Sequence, residues 1–188
     1  MVQAMHVFSF LKNNQSMDLC YDPTKLNIKE AKIQELIRGL NIFSSDPKVL
    51  ITGASGGLGS SLMEQLDYEC IGLSRNIKEG LTFIEDLENL DLVENIGPLK
   101  AIVHCAWPQP VNEPLLEPGA DIKAITEHHL AKPVRECVAL AKLLKEHGVP
   151  GAQLILIGST ASNPGRHAWA FPFYSLSKSL VPTLVRIL

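Results

Sequence analysis

The sequence predicts an α/β fold in which a doubly wound parallel sheet carries helices on both faces, preceded by an N-terminal extension. Three observations carry this. From Lys48 onward, short apolar β runs alternate with helical stretches. A glycine-rich turn joins the first of those runs to the first helix. The chain has 188 residues, 46% of them hydrophobic, which suffices for one sizeable core without disulfide staples.

The elements follow in order. Residues 1–46 form the extension. They include the polar stretch Lys12 to Ser16 and a helical stripe of Ile28, Ala31, Ile33, Leu36, Ile37 and Leu40. Residues 47–188 form the main domain. Val49 to Ile51 ends the first strand, and Leu58, Leu62, Met63 and Leu66 line one face of the first helix. Glu69 to Ser74, Leu81 to Ile84 and Ala101 to Cys105 read as the next three strands. Ile122 to Glu146 reads as one long helix, and Leu154 to Ile157 as a fifth, buried strand. Ser175 to Leu188 opens a last helix, which Pro182 is expected to kink. Such alternation builds parallel strands joined by right-handed crossovers.

Composition narrows the function. The formal net charge of -3 offers no basic excess for nucleic acid. Apolar runs such as Leu154 to Ile157 are too short to span a bilayer, and Met1 to Phe10 lacks the pattern of a secretory signal. Cys20, Cys70, Cys105 and Cys137 form no CxxC pair, so no metal site is expected and reduced thiols in a cytoplasmic protein are.

The strongest local signal is Thr52-Gly53-Ala54-Ser55-Gly56-Gly57-Leu58-Gly59. The chain leaves a strand, turns sharply and enters a helix. Glycines permit the turn and let bare backbone approach a diphosphate. The helix N-terminus near Leu58 offers unpaired N–H groups and the positive end of a dipole. This is the context of a Rossmann-type dinucleotide site. The spacing Gly-x-x-x-Gly-x-Gly resembles the TGxxxGxG pattern of the short-chain dehydrogenases/reductases, with Thr52, Gly53, Gly57 and Gly59 in its fixed places.

The second strand ends at Ser74-Arg75-Asn76. An acid there would bind a ribose 2′-hydroxyl, whereas Arg75 can pair with a 2′-phosphate, so NADP(H) is expected over NAD(H). The resemblance implies that Gly53, Ser55, Gly57, Leu58 and Gly59 hold the cofactor. It further implies an adenine contact at Asp86-Leu87, with Asp91-Leu92 the alternative, and a ribose contact at Ala106. The family's Asn-Asn-Ala-Gly is matched only at Ala106 in His104-Cys105-Ala106-Trp107; His104 and Trp107 depart from it.

Tyr174 and Lys178 stand four apart, on one face of a helix. An ammonium beside a phenol lowers its pKa and fits it for acid–base work at a carbonyl or alcohol. The resemblance adds Ser159 as the residue that orients the reacting oxygen, with Ser162 as substitute, and gives Lys178 a second role on the nicotinamide ribose. It also sets His129 where the family has a relay Asn; His129 either relays protons or packs in its helix. The aromatics between Asn163 and Phe173 either line a substrate pocket or belong to core or interface.

Together these features imply interconversion of a carbonyl and an alcohol by hydride transfer on a small-molecule substrate. A non-catalytic NADP(H)-binding regulatory or scaffold protein is the alternative. The family analogy adds a homo-oligomer. It also implies further strands after the Tyr174 helix, so the sequence reads as either a C-terminally truncated member or a degenerate one.

Overall fold

The computed structural model describes residues 7–11, 16–19, 47–93, 96–109, 121–159, 162 and 171–188. Five parallel strands form the centre: β3 (Lys48–Thr52), β4 (Cys70–Ser74), β5 (Thr82–Phe83), β6 (Leu99–His104) and β7 (Gly148–Ile157). Two more precede them, β1 (Val7–Leu11) and β2 (Ser16–Leu19). The sheet order is β2-β1-β7-β6-β3-β4-β5. β1 runs antiparallel to both neighbours, pairing Val7 with Ile157 and Leu11 with Gln153 on one side and Val7 with Leu19 on the other. The extension thus adds an antiparallel pair to the edge beside β7. The helix expected over residues 28–40 lies outside the described residues.

Strand alternation divides the core. Val49 and Ile51 of β3 and Val103 of β6 face α1 (Gly57–Gln65), where Leu62 and Leu66 close the layer. Leu50, Ile102, Leu154 and Leu156 face the other way, onto α3 (Lys132–His147) with Leu140, Leu143 and Leu144, and onto α5 (Val181–Ile187) with Val181, Leu184 and Val185. Both faces of the parallel sheet are therefore covered, which is why its strands read as near-continuous apolar runs.

The long helix is not continuous. α2 (Ile122–Thr126) passes through a π-helical turn, Glu127–Ala131, into α3. Pro133 has no N–H for the carbonyl four residues back, that of His129, and the ladder shifts so that the Lys132 N–H reaches the Glu127 carbonyl. Arg135 ties this region to a 3₁₀ segment, Leu87–Leu92, through Glu88 at 2.9 Å and through Glu127. The last helix divides as well. α4 (Pro172–Ser179) stops at Leu180, and α5 restarts with Pro182 in its first turn, where a missing N–H costs nothing.

Candidate active site

The glycine turn, Ala106 and Ser159 follow the carboxyl ends of β3, β6 and β7. These strands are parallel, so all three lie at one edge of the sheet, the usual ligand-binding edge of such folds. Gly53 has φ 67°, and a Cβ there would meet the Ala106 nitrogen at 2.7 Å. A Cβ on Gly59 would meet the Gly53 carbonyl oxygen at 2.2 Å, so α1 can start this close to the turn only with glycine. Gly57 differs, because a Cβ there would meet nothing within 4 Å. The chain itself does not need that glycine, whereas a diphosphate at the helix N-terminus would.

A cavity of about 240 Å³ opens beside the turn. Gly53, Ser55, Ser74, Arg75, Asn76 and Ala106 line it, and Leu87 and Trp107 also border it. The Ser74 hydroxyl donates to Ser55 Oγ at 2.9 Å and accepts the Asn76 N–H at 2.9 Å. Sequence reasoning singled out Arg75 but passed over Ser74 and Asn76; the Ser-Arg-Asn run at a strand end was their signal. Asp86 does not border the cavity. Its carboxylate accepts the Glu88 N–H at 3.0 Å and so caps the 3₁₀ segment, while Leu87 takes the cavity position. Leu58 packs on the α1 face of the core. A larger hollow of about 940 Å³ lies between the 3₁₀ segment and α3 and is lined by none of the glycine-turn residues.

His104 and Trp107 form the wall between the cavity and α4. The Ala106 N–H donates to Thr52 Oγ1 at 3.3 Å, and the same oxygen shares a hydrogen bond with His104 Nδ1 at 2.7 Å. Burial, then the charges of Lys178 and Arg75, push the His104 pKa down to about 3, so the ring is neutral. Trp107 meets it edge-on, with centroids 5.6 Å apart, and its indole N–H donates to Ser177 Oγ at 2.7 Å.

Ser159 and Tyr174 are brought together by a side-chain hydrogen bond. Ser159 is buried, and Ser162 turns back onto its carbonyl with both N–H (3.1 Å) and hydroxyl (2.5 Å). Lys178 is buried one turn along α4. Its ammonium donates to the Ile157 carbonyl at 2.6 Å and sits 3.9 Å from the centre of the Trp107 ring, but 5.9 Å from that of Tyr174. The expectation that Lys178 lowers the Tyr174 pKa is corrected here. Burial raises the phenol, and the Ser159 hydrogen bond alone opposes it, because the ammonium is drawn toward Ile157 and Trp107. Burial in turn lowers the Lys178 pKa to about 7.

His129 lies in the π turn, buried and stacked on Phe173, the residue before Tyr174, with centroids 6.2 Å apart. Of residues 163–173, only Phe171, Pro172 and Phe173 fall among the described residues; Phe173 is in the core. Among the described residues no cluster of three metal-ligating side chains occurs, and no helix is long and apolar enough to cross a membrane.

No protein-family model and no curated protein sequence matches the chain. Solved structures do. A short-chain dehydrogenase family protein from Francisella tularensis subsp. tularensis SCHU S4 superposes with a TM-score of 0.59 at 22% identity, over 74% of this chain and 61% of that one. A 3-oxoacyl-[acyl-carrier protein] reductase from Brucella melitensis gives 0.53 at 16% identity, over 75% and 68%. Aldohexose dehydrogenase of Thermoplasma acidophilum gives 0.52 at 18%, over 74% and 58%. The chain thus spans about three fifths of the length of the Francisella and Thermoplasma proteins. With the glycine turn, the parallel strand order and the hydroxyl pair at one sheet edge, these likenesses give the protein the fold of the short-chain dehydrogenases.

Proposed function

We propose that the protein is an NADP(H)-dependent oxidoreductase of the short-chain dehydrogenase/reductase type, interconverting a carbonyl and an alcohol on a small molecule. The observation that carries this is the Ser159–Tyr174 hydrogen bond, with Lys178 one turn on, at the sheet edge that also holds the glycine turn. Residues 47–188 are read as the cofactor-binding domain and residues 1–46 as its extension. The free thiols Cys70, Cys105 and Cys137 suit a reducing cytoplasm, and a homo-oligomer is expected from the family analogy.

NADP(H), when bound, supplies or accepts the hydride. Gly53, Ser55, Gly57 and Gly59 would receive its diphosphate, Arg75 with Ser74 and Asn76 its 2′-phosphate, and Leu87 and Ala106 the adenosine side. Ser159 holds the reacting oxygen, and the Tyr174 hydroxyl gives that oxygen a proton in reduction or takes one in oxidation. Lys178 would supply positive charge near the phenol, and His129 would pass protons behind it.

Tyr174→Phe is expected to lower turnover of ketones and aldehydes by about 10²–10⁴-fold while NADPH still binds. Arg75→Asp is expected to move preference toward NADH; unchanged NADPH affinity would remove Arg75 from the site. A non-catalytic NADP(H)-binding protein is the second reading, favoured by the distance of the Lys178 ammonium from Tyr174. NADPH binding without turnover across a broad carbonyl panel would establish that reading instead.

A further inference from the structure

We infer that Trp107 is a positioning residue that seats the Lys178 ammonium, and that it couples whatever fills the glycine-lined cleft to the Ser159–Tyr174 pair. The seat is a physical necessity first. Lys178 is only 3% exposed, and a buried ammonium needs partners. The Ile157 carbonyl provides one, at 2.6 Å, and the indole face provides the other, at 3.9 Å. The indole is itself fixed, by its N–H on Ser177 Oγ and by the edge of His104, which Thr52 holds in turn. Trp107 also borders the cavity beside Gly53 and Ser55. A ligand entering that cavity therefore touches the group that determines where the positive charge stands. Tyr174 meanwhile pairs with Ser159, and its ring centre lies 5.9 Å from the ammonium. Only the coupling to chemistry rests on the oxidoreductase reading; the seat does not.

The groups around Lys178 leave it readable. His104 titrates at about 3, and the Cys105 and Cys137 thiols are pushed up to about 12 by burial. Tyr174 is raised, and Arg75 acts on His104 from the far side. Glu136, whose charge reaches Cys137, titrates at about 7, as Lys178 does, and needs a control.

The protein has two tryptophans, so Trp169→Phe leaves Trp107 as the sole emitter. In that background, without ligand, Trp107 emission titrated across neutral pH is expected to show an inflection near about 7. The inflection should vanish in Lys178→Met and persist in Glu136→Gln. Ser177→Ala, which unties the indole but keeps Lys178, should shift it downward, because a loosened indole favours the charged form less. Flat emission, an inflection that survives Lys178→Met, or no shift in Ser177→Ala would overturn the seat. NADPH added to the same protein should quench Trp107 saturably and move the inflection. Binding that leaves the inflection in place would overturn the coupling. Absence of NADPH binding would overturn the cofactor reading and leave the seat to be judged on the free protein.

Discussion

At the scale of single residues, Gly57 and Gly59 separate folding from binding. Gly59→Ala drives a methyl into the Gly53 carbonyl and is expected to lower the melting temperature sharply, because backbone on both sides cannot yield. Gly57→Ala meets open space and should leave melting unchanged while weakening NADPH binding, as calorimetry would measure. Equal loss of stability in both variants would mean the turn is only structural. These glycines were legible in the sequence because the demand on each is local: a strand end, a bend, a helix start. Arg75 was legible for the same reason. The position of Lys178 was not, because it depends on Trp107, whose indole reaches Ser177 across 70 positions of chain. The capping role of Asp86 was not legible, because it depends on the Glu88 N–H two residues on being turned back by the 3₁₀ segment.

At the scale of elements, α3 carries the clearest pH signal. Burial holds the Glu136 carboxyl up at about 7 from its ordinary 4.5. The folded chain then binds this proton more tightly than the unfolded chain. Stability from this group is full below about 4.5 and is lost as pH rises through about 7. Glu136→Gln should flatten that slope and melt higher than the parent above neutrality, as a series of melting curves would show. Lys178 acts with the opposite sign. Its depressed pKa makes the stability it withholds return as pH climbs from about 7 toward 10.5. Helix existence was legible from apolar spacing, and the break near Pro182 from proline itself. The π turn escaped because Pro133 withholds one N–H from an otherwise unbroken apolar repeat.

At the scale of the whole molecule, the parallel strands were legible because burial on both faces leaves apolar runs. Their ends were less so: β7 extends back to Gly148, six residues before the apolar run at Leu154. The β1–β2 pair was missed although Val7 to Leu11 is apolar-rich and Asn13-Asn14 is turn chemistry, because a helical stripe downstream dominated the reading of residues 1–46. Deleting residues 1–19 would bare the outer edge of β7, a long strand from the sheet interior. The shortened protein is expected to self-associate, which light scattering would detect, since an unprotected edge recruits further strands. A monomer with unaltered melting would show that β1 contributes nothing there.

The Thr52–His104 bond has a mechanical consequence. It ties the tips of β3 and β6, the strands that lead into the glycine turn and into Ala106, both at the cavity. A change at His104 is therefore felt on both strands, because the Thr52 hydroxyl that it holds also receives the Ala106 N–H.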